Sequence, residues 1–410
     1  MMAKQTVVVV GASLAGAKAV EALRDEGFDG RVVLVGEEAE RPYERPPLSK
    51  DYLRGEAEGK PYVHDESFYG EKDVELRTST TVESIDPGAA EVALRGGERL
   101  AFDRLLIATG AEPRRLSLPG ADLDGVLYLR TVADSEAIRE RIDAGGRLVT
   151  IGAGWIGAEV AASAKQRGCD VTILEMAQLP LERVLGPELG AIYRDIHIDH
   201  GVEFIGGAQV EAIEGDGKVA AVRLGGDRRI EADFVVVGVG VQPRAQLAQA
   251  AGLEVDNGIA VDEQLRTSAE NIYAAGDVAN AQHPFYNARI RVEHWANALE
   301  QGPAAARNIL GRGEPYERIP YFFSDQYDVG MEYAGYATRW DEVVFRGDPA
   351  GREFIAFWLQ DDRVVAGMNV NVWDVTDDIQ ALIRARRPID RGRLTDPDTP
   401  LGELLPAQSR

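Results

Sequence analysis

Two strand–glycine turn–helix–strand stretches about 140 residues apart, each closing on a glutamate, and a strand-rich tail predict an α/β chain. The class expected is two Rossmann-like dinucleotide-binding domains followed by a C-terminal α+β domain.

The second stretch carries the clearer signal. Residues 148–175, LVTIGAGWIGAEVAASAKQRGCDVTILE, run from an apolar segment through GAGWIG into a small-residue helix, a glycine turn and a second apolar segment. Gly152, Gly154 and Gly157 stand in G-x-G-x-x-G spacing, and Glu175 follows the last of them by 18 residues. Gly152 permits the tight turn, Gly154 leaves room for a pyrophosphate against the backbone, and Gly157 lets helix and strand pack closely. The helix N-terminus offers unpaired N–H groups to phosphate. A carboxylate at Glu175 binds both ribose hydroxyls of NAD and repels a 2′-phosphate, so NADH is expected over NADPH. A glycine-rich turn without a ligand would explain neither the spacing nor Glu175.

The N-terminal stretch repeats the plan: TVVVV, GASLAG, a helix through about Glu26, then RVVLVGE. Gly11 and Gly16 take the outer glycine positions, Ser13 the middle one, and Glu37 follows Gly16 by 21 residues. One cofactor needs one such unit, so two imply two dinucleotides, and FAD with NAD is the economical pair. VVVGVG at 235–240 before Pro243 mirrors LLIATG at 105–110 before Pro113, a second internal echo.

Between these landmarks the elements follow from local chemistry. Pro42, Pro46 and Pro47 forbid a long helix in RPYERPPLSKDYL, 41–53, which reads as a loop delivering Arg45 and Lys50 near the first nucleotide unit. Residues 74–107 alternate as strands, and 111–119, AEPRRLSLP, read as a linker. A helix is expected over 127–142 with Asp134 or Ser135 near its cap. Strands follow over 202–243, then a short hairpin and a strand ending at Gly276-Asp277, then an amphipathic helix within 291–310. From 321 the chain is strand-rich, with a helix over 374–387 capped by Thr376 or Asp377 and a loosely held polar end of about 15 residues. The domains expected are 1–112 with 243–320 for FAD, 113–242 for NAD, and 321–410 as the C-terminal domain.

Composition narrows the partners. The chain has 410 residues and a formal charge of −23, a field that repels nucleic acid and anionic membranes. No apolar run reaches the ~18 residues of a membrane span. The N-terminal apolar run lacks a signal-peptide cleavage site, and a cytoplasmic location is the default. The one cysteine, Cys169, excludes an internal disulfide and a C-x-x-C pair, and is expected in the core. His197 and His200 have helical metal spacing but no third ligand, so no metal is expected.

VGASLAG (10–16), VGEE (35–38), ERPPLSKDYL (44–53), LLIATGAEPR (105–114), LRTVADS (129–135), GAGWIGAEVAA (152–162), NIYAAGDVAN (271–280), VEHWANALEQG (292–302) and YFFSDQY (321–327) together carry a resemblance over the whole chain. The sequence resembles the FAD-dependent pyridine-nucleotide reductases of the glutathione-reductase-like fold, and within them the ferredoxin reductase branch. The resemblance implies that Gly11, Ser13, Ala15 and Gly16 hold the FAD pyrophosphate and Glu37 its ribose. Arg45 and Lys50 would lie along the FAD, Lys50 near the flavin ring. Thr81 and Val82 would touch the adenine side, while Ala108, Thr109, Gly110 and Arg130 complete the phosphate and flavin surround. Asp277, beside Gly276, would meet the ribityl chain, and Glu293, His294 and Trp295 the pyrimidine end. Gly152, Gly154, Trp155, Ile156, Gly157 and Glu175 would bind NAD, with Gly238 and Gly240 nearby. Glu159 would sit near the nicotinamide, within reach of Lys50.

The activity implied is NADH-dependent ferredoxin reduction: FAD accepts a hydride from NADH and passes single electrons to a ferredoxin, which supplies a haem monooxygenase or an aromatic-ring dioxygenase. Hydride transfer asks for stacking and positioning, not acid–base machinery at the reacting carbon. An NADH oxidase or a peroxide or disulfide reductase on the same scaffold is the alternative, but the loop that would carry its cysteine reads Pro47-Leu48-Ser49-Lys50. An NADH-sensing interaction protein resembling apoptosis-inducing factor is a third, and the acidic charge opposes its nucleic-acid-binding form. Phe323 departs from the tryptophan of many family members, on the side expected to face the redox partner. For an acidic ferredoxin, the candidate docking patches are Arg384, Arg386, Arg387, Arg391 and Arg393, or Arg289 and Arg291; a solvated helix C-terminus is the simpler reading of the first.

Overall fold

A computed structural model describes residues 5–405. The chain forms two compact units: the described residues up to Arg45 with Lys60–Glu112 and Val241–Arg318, and Pro46–Gly59 with Pro113–Gly240 and the residues from Ile319 onward.

The first unit is built on a parallel sheet in the order Ile272–Ala274, Arg104–Ile107, Thr6–Val10, Arg31–Val35, Val74–Arg77. Val7 to Val10 are buried without alternation, the pattern of a parallel sheet covered on both faces. Helix Leu14–Asp25 lies close against helix Trp295–Ile309: a Cβ on Gly302 would stand 2.3 Å from the Ala15 carbonyl oxygen. The small residues here are a packing requirement. An antiparallel sheet of Val82–Asp86, Glu91–Leu94 and Arg99–Ala101 and a mixed one of Ile259–Val261, Ala279–His283 and Ala288–Arg291 complete the unit.

The second unit repeats the parallel plan in the order Glu203–Ile205, Asp170–Leu174, Arg147–Ile151, Phe234–Val237, Val126–Tyr128. Its C-terminal part is antiparallel, ordered Tyr321–Gln326, Val329–Gly335, Arg363–Val370, Glu353–Gln360, Glu342–Asp348. Leu185, Leu189, Tyr193 and Ile196 share one core with Phe354, Trp358 and Met368 of that sheet. The Trp358 indole N–H donates to the Leu185 carbonyl at 3.1 Å.

Several local expectations are corrected. Residues 46–59 pack within the second unit: the Leu48 carbonyl accepts from Ser135 at 2.8 Å and the Ser49 carbonyl from Ser163 at 2.7 Å. Helix Val132–Asp143 is capped by Thr131, whose Oγ1 accepts from the Asp134 N–H at 3.2 Å while the Asp134 carboxylate accepts from the Thr131 N–H at 2.8 Å. Asp134 thus completes a capping box from the first turn, and Ser135 faces inward. Thr376 opens helix Thr376–Ala385 without capping it, because its hydroxyl donates to Glu332 at 3.0 Å. Ala111–Pro113 is a short strand where a linker was expected, and Glu112 accepts from the Gln242 side chain at 2.8 Å. The tail is held at least to residue 405: Arg346 binds the Pro397 and Thr399 carbonyls at 3.1 and 2.6 Å, and Leu401 and Leu404 are buried. The remainder of the expected loose end, 406–410, lies outside the described residues.

Candidate functional site

The two glycine loops have the same stereochemistry. Gly11 stands at φ +118° with an added Cβ 2.1 Å from the Ala108 carbonyl oxygen; Gly152 stands at φ +100° with an added Cβ 2.4 Å from that of Gly238. Only glycine fits either position. A Cβ on Gly16 or Gly157 would meet the carbonyl oxygen of the first glycine of its own loop at 2.1 Å. These residues serve the turn itself. Gly154 differs: its φ is −73° and an added Cβ would find nothing nearer than 3.8 Å. No protein atom demands glycine there, so the open space fits a pyrophosphate lying on the loop.

In the first unit a cavity of about 320 Å³ opens over this loop. Of the expected FAD residues, Gly11, Ser13, Glu37, Arg45, Thr81, Val82, Ala108 and Thr109 line it together. The volume and the bare backbone at Gly11 suit the adenosine and pyrophosphate of FAD. Arg45 pairs with Glu38 at 2.9 Å. Glu37 pairs with Arg244, a lining residue that sequence reasoning missed, and this hydrogen bonding holds the Glu37 carboxyl below its ordinary range against the opposing effect of burial. No local signal marks Arg244, which lies 207 residues from its partner. Ala15, Gly16, Gly110, Gly276, Asp277, Glu293, His294 and Trp295 do not line this cavity. Ala15 and Gly276 are neighbours, 3.1 Å from Ala15 Cβ to an added Cβ at Gly276. The Gly276 N–H donates to the buried Gln301 side chain at 2.9 Å, a second contact the sequence did not announce. Gly110 accepts from the Arg244 N–H at 2.9 Å. Glu293 pairs with Arg291, and His294 precedes helix Trp295–Ile309 as its N-cap. Burial pushes the His294 imidazole below its ordinary pKa, with Asp277 opposing.

In the second unit Glu175 reaches back to its loop: its carboxylate accepts from the Ala153 N–H at 2.6 Å and the Ala177 N–H at 2.9 Å. It therefore stands just past strand Asp170–Leu174, turned towards the glycine loop. An added Cβ at Gly238 would meet Gly157 Cα at 3.1 Å, and the Gly240 carbonyl accepts from Arg114 at 3.0 Å. Trp155 packs edge-on to Tyr193 and Phe322, with ring centroids 5.9 and 5.0 Å away, whereas Ile156 is exposed. Arg130 belongs to this unit, its backbone N–H bonded to Asp134 at 3.0 Å.

Lys50 and Glu159 form a buried ion pair in the second unit. Helix Trp155–Gln166 places Glu159 on its inner face, 4% exposed, and Lys50 Nζ lies 2.7 Å from Glu159 Oε2. Ser49 donates to the same oxygen at 2.5 Å, and Ser324 donates to Oε1 at 2.7 Å. No sequence signal marks Ser49 or Ser324 as site residues beyond the YFFSDQY motif that contains Ser324. The Phe323 ring centroid stands 5.7 Å from Lys50 Nζ. Lys50 and the two hydroxyls together fix the orientation of the Glu159 carboxyl group.

The remaining expectations resolve by packing. Cys169 is 1% exposed, and burial raises its thiol pKa. His197 Nδ1 bonds the Tyr327 hydroxyl at 3.0 Å and His200 stacks on the Tyr327 ring at 3.8 Å. Among the described residues no cluster of three His, Cys, Asp or Glu side chains suits a metal, and no helix is long and apolar enough to cross a membrane. In the arginine-rich segment, Arg391 is paired with Glu342 and Asp362, each at 2.6 Å.

Comparison with known proteins gives the family. Residues 5–302 match the pyridine nucleotide-disulphide oxidoreductase family model and residues 321–405 the reductase C-terminal model. The putidaredoxin reductase of Pseudomonas putida is 38% identical over 99% of this chain and 98% of its own length. The ferredoxin–NAD(+) reductase component of the anthranilate 1,2-dioxygenase system of Burkholderia cepacia is 39% identical, over 98% of this chain and 100% of its own. The crystal structure of the ferredoxin reductase for the CYP199A2 system from Rhodopseudomonas palustris has a TM-score of 0.94 at 34% identity, covering 97% of this chain and 99% of that one. With the paired glycine loops, the acidic residue ending each second strand and these matches in hand, the chain belongs to the pyridine nucleotide-disulphide oxidoreductase family and carries its reductase C-terminal domain.

Proposed function

We propose that this protein is an NADH-dependent ferredoxin reductase that delivers electrons to an oxygenase through an iron–sulfur protein. The observation that carries the reading is the duplicated glycine loop, each copy with its own carboxylate, in a chain that matches ferredoxin reductases nearly end to end. Bound FAD supplies two-electron uptake from NADH and one-electron delivery to the ferredoxin. The chain's residues bind and orient. The first unit holds FAD, with Gly11 and Ser13 under the pyrophosphate and Glu37 at the ribose. Residues 113–242 hold NADH, with the open backbone at Gly154 under its pyrophosphate and Glu175 at the adenosine ribose. Glu159, pinned by Lys50, Ser49 and Ser324, orders the nicotinamide side of the second unit. Residues 321–410 complete the reductase, and its arginine-rich helix end, Arg384 to Arg387, meets the acidic ferredoxin. The protein works in the cytoplasm.

A disulfide or peroxide reductase needs a reactive thiol, and Cys169 is buried with its thiol donating to the Ile142 carbonyl at 3.8 Å. The test is NADH-driven cytochrome c reduction by the yellow holoenzyme with and without added ferredoxins. Reduction that depends on ferredoxin is expected. Fast oxygen or peroxide consumption without ferredoxin would overturn the assignment. Charge reversal at Arg386 and Arg387 should slow the ferredoxin-dependent step and flatten its salt dependence; unchanged behaviour would remove the docking role.

A further inference from the structure

We infer that Arg244 is a binding residue for the adenosine–pyrophosphate half of the FAD in the first unit, holding Glu37 in place for the ribose and offsetting part of the acidity of the cleft. The inference rests on the reading that this unit binds FAD.

Four carboxylates, Glu37, Glu38, Glu40 and Glu112, line a cavity whose ligand carries a doubly charged pyrophosphate. Such a wall repels an anion unless each carboxylate is matched. Glu38 is matched by Arg45 at 2.9 Å, and Glu40 by Lys60 and the Tyr62 hydroxyl, each at 2.5 Å. Glu37 depends on Arg244, and Glu112 is shared between Arg244 and the Gln242 amide, which donates to it at 2.8 Å. Its two terminal nitrogens bond the two Glu37 oxygens, Nη2 to Oε2 at 2.9 Å, and its Nε stands 4.0 Å from Glu112 Oε2. Arg95 and Arg45 act on Glu37 only through space.

The fork is positioned from the backbone as well. The Arg244 N–H donates to the Gly110 carbonyl at 2.9 Å, and the Arg244 carbonyl accepts from Thr109 Oγ1 at 2.8 Å. Thr109 itself lines the cavity. A planar fork fixed at both ends leaves the Glu37 carboxylate one orientation, and each of its oxygens retains a lone pair for a ribose hydroxyl. Lysine in its place would keep the charge and lose the two-point grip.

The experiment measures FAD retention by the purified holoenzyme, from the fluorescence of flavin released on dilution, for the parent protein, R244A, R244K, E37Q and the R244A/E37Q pair. R244A should release FAD roughly ten to a hundred times faster. R244K should fall between R244A and the parent, because it restores charge but not the fork. The double variant should release FAD no faster than R244A alone, since both changes break the same contact. NADH affinity of the reconstituted protein, a property of the second unit, serves as the fold control for R244A. Retention in R244A within twofold of the parent, with FAD present in the parent, overturns the role of Arg244 alone. A parent protein that takes up no FAD overturns the reading of the unit, and the inference with it. Equal release by R244K and R244A would leave no place for the fork geometry and would also overturn it.

Discussion

The Lys50–Glu159 pair offers the sharpest test of the energetics. Lys50 is 8% exposed and Glu159 4%, and the ammonium stands 2.7 Å from the carboxylate. Lys50→Met leaves the carboxylate with two hydroxyl donors, Ser49 and Ser324, and no counter-charge. Stranding a buried ion in this way costs about 3–5 kcal/mol. Glu159→Leu leaves the ammonium with the Pro46 carbonyl, 3.4 Å away, and with Asp325 only through space, and should cost a similar amount. The double variant removes both charges together, so its loss should fall short of the sum by about 2–3 kcal/mol. The assay is denaturant unfolding of the holoenzyme read by tryptophan emission, because Trp155, Trp340, Trp358 and Trp373 all lie in the second unit and only Trp295 in the first. A loss under about 1 kcal/mol for Lys50→Met, or single losses that add to within about 0.5 kcal/mol, would refute the reasoning, since either means that water already reaches the pair.

Other outcomes follow from the loops and from one buried imidazole. Gly154→Ala should leave the unfolding midpoint unchanged and raise KM for NADH about tenfold, whereas Gly152→Ala, at φ +100° and 2.4 Å from the Gly238 carbonyl, should destabilise by about 1–3 kcal/mol; the reverse pattern would show that the glycines serve different ends. Glu175→Arg should move the ratio of kcat/KM for NADH over NADPH towards NADPH by roughly a hundredfold, and steady-state kinetics with both nucleotides checks it. Burial lowers the His197 imidazole from 6.5 to about 4, so the unfolded chain binds a proton that the folded one does not. Stability is therefore complete above pH 6.5 and declines as the pH falls towards 4, by about 3 kcal/mol from this residue. His197→Gln should flatten the urea midpoint over that window, and superimposable profiles for variant and parent would rule the contribution out. Ser324→Ala removes a charge-assisted hydrogen bond from Glu159 and should cost about 1.5–3 kcal/mol, measured on the same unfolding curve.

How far the sequence could be read depends on the range over which each feature is encoded. The two Rossmann-like units, the glycine geometry and the placement of Glu37 and Glu175 were legible because each rests on backbone constraints within about 30 residues: a turn that only glycine enters and a strand whose end faces the loop. Apolar periodicity likewise announced the C-terminal strands. Helix caps were read less well, since Thr131 and Asp134 divide the work of one cap and Thr376 is drawn off by Glu332 from a neighbouring strand. Tertiary structure alone decided which side chains complete the sites. Arg244 meets Glu37 across 207 residues, Ser324 meets Glu159 across 165, and the 46–59 segment joins the second unit because Ser135 and Ser163 hold its carbonyls. Such contacts carry no period and no fixed spacing. They exist only once a sheet order and a helix face have brought distant residues to one place, and at Glu159 burial makes an unmatched charge costly and so selects the partner.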